Sequence, residues 1–448
     1  MSDVLMVAPC IPSPTQDPAE VQGPMYLLPI LIAGLLLRAT MILSVARGDP
    51  WTWFYRHASE LGCLAESMLA GRGLSSPFCG STGPSAFLAP GYPAFVAMVF
   101  RCFGEYSAAS AAAIIAMQTC FSLLTIVALM LVARREFGVR VANIAGALCA
   151  LSPPLAWMPA VFWETALSTL FLAGALVAAT YCTARPIPAR WSAFGAYCGS
   201  AMLVNPALMF SLAATVIWAA WRVGRDAKRN LLLAIAAWVV VFAAWPIRNA
   251  LVLHAFIPFR TNLGYELWQG NGPGSEGMFR PELHPNVNRQ ERSRYAALGE
   301  IAYMREKADR AMAAIEQDKP RFLRLTVERT LQFWTGYTEH NASFLVLYIT
   351  AGTSTGFAGL VMLLRKRRRI GLLFAGPLLL FPLPYYLTHP DFRFRMLLDP
   401  MLLLLSAYAV DCWMTRAAER NATSRTNPVR SLMDSKKRTA DNTFVATV

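Results

Sequence analysis

Charge is what this sequence has least of. Only 15% of its 448 residues are Asp, Glu, Lys or Arg, while 55% are hydrophobic; an average soluble chain carries about a quarter charged residues. That balance, with a mean hydropathy of +0.39, excludes an ordinary soluble protein, because so much apolar side chain needs lipid around it. Histidine is scarce as well. There are five, with no CxxC, no HExxH and no metal-spaced His cluster, which removes the common zinc-site spacings. No GxxxxGK[ST] stretch is present, so ATP-driven transport is not encoded in this chain. Ahead of Met25 there is neither a basic start nor a small-residue cleavage pattern, and a removable signal peptide is not expected.

Acids are the rarer charge, 27 against 41 Lys and Arg, for a net +14. Taken in bulk, that excess would suggest nucleic acid, but its position along the chain points elsewhere. Arg134, Arg135 and Arg140, then Arg185 and Arg190, then Arg222, Arg225, Lys228 and Arg229, then Arg365 to Arg369 all fall in breaks between apolar runs. Seven more basic residues follow Asp411. The alternate breaks, around Trp157 to Trp163 and Val204 to Pro206, have none. This is the positive-inside asymmetry of a membrane protein, and nucleic acid is excluded as a partner.

What is present is a succession of apolar runs of crossing length. They predict an all-α polytopic membrane protein of about ten transmembrane helices, near 25–45, 108–133, 141–157, 164–182, 192–204, 206–222, 231–247, 342–363, 371–388 and 396–413. Both termini are then cytoplasmic. A short tail over 1–24 precedes the membrane domain, 25–413, and a basic tail expected to be disordered covers 414–448. The apolar stretch from Pro90 to Phe103 is short for a crossing and reads as an interfacial helix. Two segments, 46–107 and 248–341, are too long for simple turns and read as periplasmic loops. The second predicts helices over 289–317 and 321–334, stopped between them by Pro320, with Ile301, Met304, Ala308 and Met312 at three-to-four spacing, lying along the membrane surface. Nine cysteines lie mostly in apolar runs, but Cys63 and Cys79 share the first loop, where an oxidising periplasm permits a disulfide.

Few residues are equipped for chemistry. Glu60 lies in a helical stretch just beyond the first span; taken alone, it reads as a solvated loop acid more readily than as a catalyst. Glu164 begins an apolar span, a depth at which a buried ion pair and a functional role are about equally expected. Arg248, Arg260, Arg393 and Arg395 stand at outer span ends against the positive-inside trend. Snorkelling to headgroups, or pairing with Asp391 or Glu266, is the ordinary explanation. The functional one is a phosphate gripped at the outer leaflet by paired guanidinium donors.

From Arg38 to about Tyr408 the chain resembles the GT-C membrane glycosyltransferases, specifically the family 39 group with the protein O-mannosyltransferases and bacterial aminoarabinose transferases. The resemblance rests on the Glu60-Leu61-Gly62-Cys63 stretch, Gly83-Pro84-Ser85-Ala86 running into Ala89-Pro90-Gly91-Tyr92-Pro93, and Trp163-Glu164-Thr165. It continues in Trp245-Pro246-Ile247-Arg248-Asn249, Phe259-Arg260-Thr261-Asn262, Leu267-Trp268-Gln269-Gly270-Asn271 and Phe392-Arg393-Phe394-Arg395. It implies a GT-C-like fold in a bacterial inner membrane, and transfer of a sugar from a polyprenyl-phosphate donor to a lipid, glycan or protein acceptor on the periplasmic face. It implies Glu60 as the first-loop acid and general base, with Glu164 as a second acid assisting sugar or a divalent metal ion, whose need stays undecided. The family pattern of an acid soon after the first span leaves Asp49 as a rival to Glu60. Arg248, Arg260, Asn262, Arg393 and Arg395 are then the substrate-binding candidates. A flippase or transporter of lipid-linked sugars and a non-catalytic envelope assembly protein are the alternatives; the absence of an internal repeat weighs against a transporter.

Overall fold

The computed structural model describes residues 23–45, 50–55, 59–337 and 342–419. The chain opens with α1 (Leu27–Val45), a short α2 (Pro50–Tyr55), α3 (Ser59–Leu69) and α4 (Gly91–Phe103). A block of apolar helices follows: α5 (Ala108–Phe137), α6 (Val139–Ala150), α7 (Pro153–Trp157), α8 (Thr165–Ala184), α9 (Pro188–Val204), α10 (Met209–Val223), α11 (Ala227–Phe242) and α12 (Ala244–Leu253). The second loop carries α13 (Leu263–Asn271), α14 (Arg289–Leu298), α15 (Glu300–Gln317) and α16 (Lys319–Thr335). The last part holds α17 (Ser343–Lys366), α18 (Arg368–Leu380), α19 (Leu383–Leu387), α20 (Phe392–Met396) and a closing helix over 399–419, α21. Among the described residues there is no β-strand; an isolated bridge pairs Ser75 with Pro84.

Among the described residues, seven helical segments are long and apolar enough to cross a membrane, eight if Val139–Ala150 and Pro153–Ala160, bent by 58°, form one span. The expectation of about ten counted two further segments, both helical. One is α21; the other is α9, whose 17 residues make a short crossing that neighbouring protein must shelter. The shelter is α11. A side chain at Gly195 would run into the Ala234 carbonyl, so a glycine there lets the two backbones meet, the usual device where helices pack without a hydrophobic drive.

Charge separates the two ends of the bundle. At one end Arg140 pairs with Asp411 at 2.7 Å, Arg367 with Glu136 at 3.6 Å, and the Trp218 indole donates to the Arg369 carbonyl at 2.5 Å. The loops gather at the other, where the Tyr55 hydroxyl meets Ser110 Oγ at 2.5 Å at the start of α5. Inside the bundle the fully buried Arg38 donates to Ser122 Oγ at 2.9 Å and to the carbonyls of Gly34 and Ala150 at 3.0 and 3.3 Å. These acceptors offset the cost of a guanidinium among apolar helices.

The two loops form one body. Glu300, 4% exposed, accepts the Ala86 N–H at 2.6 Å, the Thr261 hydroxyl at 2.7 Å and the Tyr295 hydroxyl at 2.5 Å, as a buried carboxylate requires. Arg329, completely buried, donates to Asn271 Oδ1 at 2.9 Å, to the carbonyls of Gly277 and Leu387 at 3.1 Å, and to that of Gly270. Burial, then the nearby Arg321 charge, lowers its pKa to about 10. A Cβ at Gly270 would collide with the Thr388 carbonyl; glycine therefore allows α13 to touch the chain just before His389.

Two expectations for the loops change. The helix expected over 289–317 is broken into α14 and α15 at Gly299, whose φ of +74° favours glycine. Pro320 does not stop a helix; it sits in the first turn of α16, where its missing N–H costs nothing. In the first loop, Cys63 and Cys79 form a disulfide.

Candidate functional site

Glu60 sits in the first turn of α3, where a carboxylate complements the helix dipole. Its Oε1 lies 2.9 Å from His284 Nε2 and accepts the Asn286 side-chain amide at 3.0 Å. His284 Nδ1 in turn accepts the backbone N–H of Asn286 at 3.2 Å. A nitrogen that accepts carries no proton, so the proton of the neutral ring is on Nε2 and points at Glu60. His284 is buried and its imidazole stands edge-on to Phe78 and Tyr265, with ring centres 5.5 and 5.7 Å away. The disulfide ties Cys63 of α3 to Cys79, next to Phe78.

A second carboxylate–histidine pair lies across Phe279. Glu266 of α13 binds His389 Nε2 through Oε2 at 2.8 Å and accepts the Asn262 amide on Oε1 at 2.8 Å. The Phe279 ring is 5.8 Å from His284 and 5.4 Å from His389. Burial would raise the Glu266 pKa, but the hydrogen bond and charge of His389, then Arg393 and Asn262, bring it below the usual carboxylate value.

Arg393 connects these groups electrically. Asp391 caps α20 by accepting the Arg393 N–H at 2.9 Å, and its other oxygen lies 3.7 Å from Arg393 Nε. The guanidinium stands 4.9 Å over the Trp163 ring. Burial would lower its pKa, yet Asp391, Glu164, Glu60 and Glu266 together raise it above the ordinary arginine value. Glu164, immediately before α8, faces Arg260 Nη2 at 3.7 Å. Neither Arg260 Nε nor Arg393 Nε, both buried, has a hydrogen-bond partner, an arrangement that calls for an acceptor. Two guanidiniums thus stand each beside one carboxylate and each with a hydrogen-bonding position unfilled, and Arg393 is within the electrostatic reach of Glu60 and Glu266.

Against known proteins, no family model matches the chain, and neither does any curated protein. Solved structures do. The oligosaccharyltransferase of Archaeoglobus fulgidus tethered to an acceptor peptide superposes with a TM-score of 0.51 at 16% identity, over 87% of this chain and 50% of that one. The same enzyme with zinc and sulfate gives 0.50 at 16% identity, over 88% and 50%. The chain has the GT-C fold. ArnT from Cupriavidus metallidurans in the apo state superposes more loosely, at 0.36 and 14% identity, over 86% of this chain and 77% of that one. At such identities the likeness is one of fold, and the chain spans about half the length of the Archaeoglobus enzyme it matches.

Within that GT-C frame, the residues singled out from sequence divide. Glu60, Glu164, Arg260, Asn262 and Arg393 belong to the cluster. Arg248 is engaged elsewhere, donating to the Ser85 and Leu74 carbonyls at 2.7 Å each and holding the first loop on α12. Arg395 is 3% exposed and turned inward, paired with Asp399 and donating to Thr353 Oγ1 at 2.7 Å. Two arginines with identical sequence settings thus part ways, because α20 is helical and its adjacent odd positions face different sides. Asp49 lies outside the described residues.

No three His, Cys, Asp or Glu side chains among the described residues converge as ligands, and Glu164 faces a guanidinium. Sequence reading missed His284 and Asn286. The signal available was slight: a scarce histidine in His284-Pro285-Asn286, a turn without the charged residues that surround it.

Proposed function

We propose that this protein transfers a sugar from a polyprenyl-phosphate-linked donor to an acceptor at the membrane face that carries the loops. That face is the periplasmic side of a bacterial inner membrane, with both termini cytoplasmic. The observation that carries this reading is the Glu164–Arg260 pair together with Arg393, whose charge Asp391, Glu164, Glu60 and Glu266 favour, with the Nε of each arginine lacking a hydrogen-bond acceptor. The GT-C fold, shared with an oligosaccharyltransferase, supports it by analogy of fold.

In this reading the acceptor hydroxyl or amine attacks the anomeric carbon. The bond from that carbon to the phosphate oxygen breaks, its electron pair stays on the phosphate, and the acceptor proton passes to Glu60. Arg393 and Arg260 stabilise the negative charge that builds on the leaving phosphate. Glu164 holds Arg260 in place. Asn262 acts through Glu266, which together with His389 fixes the base of α20 and so the direction of Arg393. The acceptor is a lipid, a glycan or a protein.

The test is transfer by the full chain in phospholipid vesicles, using labelled polyprenyl-phosphate hexoses and pentoses with lipid, glycan and peptide acceptors. Label should move from one donor to one acceptor, with release of polyprenyl phosphate. No transfer from any donor, together with no binding of undecaprenyl phosphate, would overturn the reading.

A further inference from the structure

We infer that the second loop sets the geometry of the first-loop acid: His284, held in one tautomer by Asn286, is the positioning residue for Glu60. The inference rests on the proposed transfer for its kinetic consequence, but its geometry stands without it.

Three features single out this contact. The first is convergence, since the His284 ring and the Asn286 amide both donate to the same oxygen of Glu60, at 2.9 and 3.0 Å. Two donors fix the rotation of a carboxylate, where one leaves it free to swing. The second is that the ring cannot turn over without loss. Flipping it would direct a C–H at Glu60 and leave the Asn286 N–H, now bonded at 3.2 Å, without its acceptor. The third is rigidity of the surroundings. Phe78, Tyr265 and Phe279 stand around the ring at 5.5 to 5.8 Å between centres. Phe78 belongs to the segment tied to α3 by the Cys63–Cys79 disulfide, so Glu60 and the wall behind His284 are fastened to each other covalently.

An ordinary packing histidine needs none of this. Its partner would be a carbonyl or a water, and its tautomer would be immaterial. Here the proton is directed at the carboxylate that receives the acceptor proton, and orientation of that carboxylate is worth rate, not affinity. The residue therefore acts through Glu60 and not on the donor.

Two measurements test this. In protein labelled with 15N in its five histidines, the His284 signal, assigned by its loss in His284→Gln, should show a protonated Nε2 and an unprotonated Nδ1 at neutral pH. The Nε2 signal should shift in Glu60→Ala. A protonated Nδ1, or no response to Glu60→Ala, would overturn the inference whether or not any donor is turned over. In the transfer assay His284→Leu should lower kcat by about 10- to 100-fold, the usual scale for a group that orients an active ligand, with KM for the donor unchanged. His284→Gln, whose amide reaches the position of Nε2, should recover part of the rate. In a Glu60→Gln background His284→Leu should cost nothing further. Additive losses in that cycle would return His284 to a purely structural role while leaving the proposed function intact. A Glu60→Gln protein with normal turnover would instead count against the proposed function itself.

Discussion

His284 Nε2 stands 2.9 Å from Glu60 Oε1, joining two loops that are separated in sequence by four of the membrane-crossing segments and the bent pair and are brought together only by the fold. The contact makes the second loop part of any chemistry done by the first. The arginines at the loop end divide as well, into those paired with carboxylates of the site and those that tie down the fold.

Arg260 and Arg393 are of the first kind, beside Glu164 and Asp391. Replacing either by Gln should weaken binding of undecaprenyl phosphate by about tenfold or more, since a hydrogen bond to a charged group contributes roughly 1.5–3 kcal/mol. Arg248→Gln should leave that affinity nearly unchanged and lower thermal stability, because its donors serve the Leu74 and Ser85 carbonyls. Titration of each variant in vesicles, beside its melting curve, separates the two groups. Equal loss of affinity in all three would mean that the division is wrong.

Much of this architecture is legible in the sequence, for a physical reason. Span positions follow from hydropathy alone, and α8 begins at Thr165 and α17 at Ser343, within a residue or so of where the apolar runs do. The end of the bundle that holds Arg140 and Arg367 follows from the position of charge. The site is only half legible. Glu164 and Arg393 stand out as charged residues in apolar surroundings, but so do Arg248 and Arg395; Glu60 by itself reads as a solvated loop acid, and nothing local tells a guanidinium aimed at a ligand from one that ties down a carbonyl. The Asn286–Glu60 bond spans 226 positions, a pairing that periodicity and short motifs do not encode.

The disulfide should matter to the loop more than to the bundle. Closing 16 residues restricts the unfolded loop by about 3 kcal/mol in the chain-entropy picture. Cys63→Ser with Cys79→Ser should therefore expose the first loop to protease at lower temperature, while helix content measured by circular dichroism stays the same. Unaltered protease resistance would show that Glu300 and Arg248 suffice to hold the loop.

Acid should loosen the second loop through Glu266. Its pKa is held below the ordinary glutamate value in the folded protein, chiefly by the hydrogen bond and charge of His389 against the effect of burial. A depressed carboxylate contributes stability that is fully present above the unfolded pKa and is lost as the pH falls through the folded one. Melting temperature should thus drop as the pH is taken below about 4.5, the ordinary range of a glutamate. Glu266→Gln should begin less stable at neutral pH and lose less over that interval. An identical acid profile in the two proteins would remove Glu266 from the account.

Orientation is open to direct labelling. With the exposed Cys102 and Cys120 replaced by Ser, Glu276→Cys should react with a membrane-impermeant maleimide added to intact cells, and Lys228→Cys only after lysis. Both positions are exposed. The reverse pattern would turn the whole site toward the cytoplasm.

The central claim is that Glu60 receives the acceptor proton, and the most direct test is turnover by Glu60→Gln. The exchange keeps size and leaves an oxygen for His284 and Asn286 to donate to, but removes the basic carboxylate. The account predicts unchanged binding of undecaprenyl phosphate, unchanged melting temperature and a fall in sugar transfer of about a hundredfold or more, the usual scale for a positioned base. Transfer at the wild-type rate by a correctly folded Glu60→Gln protein would contradict it.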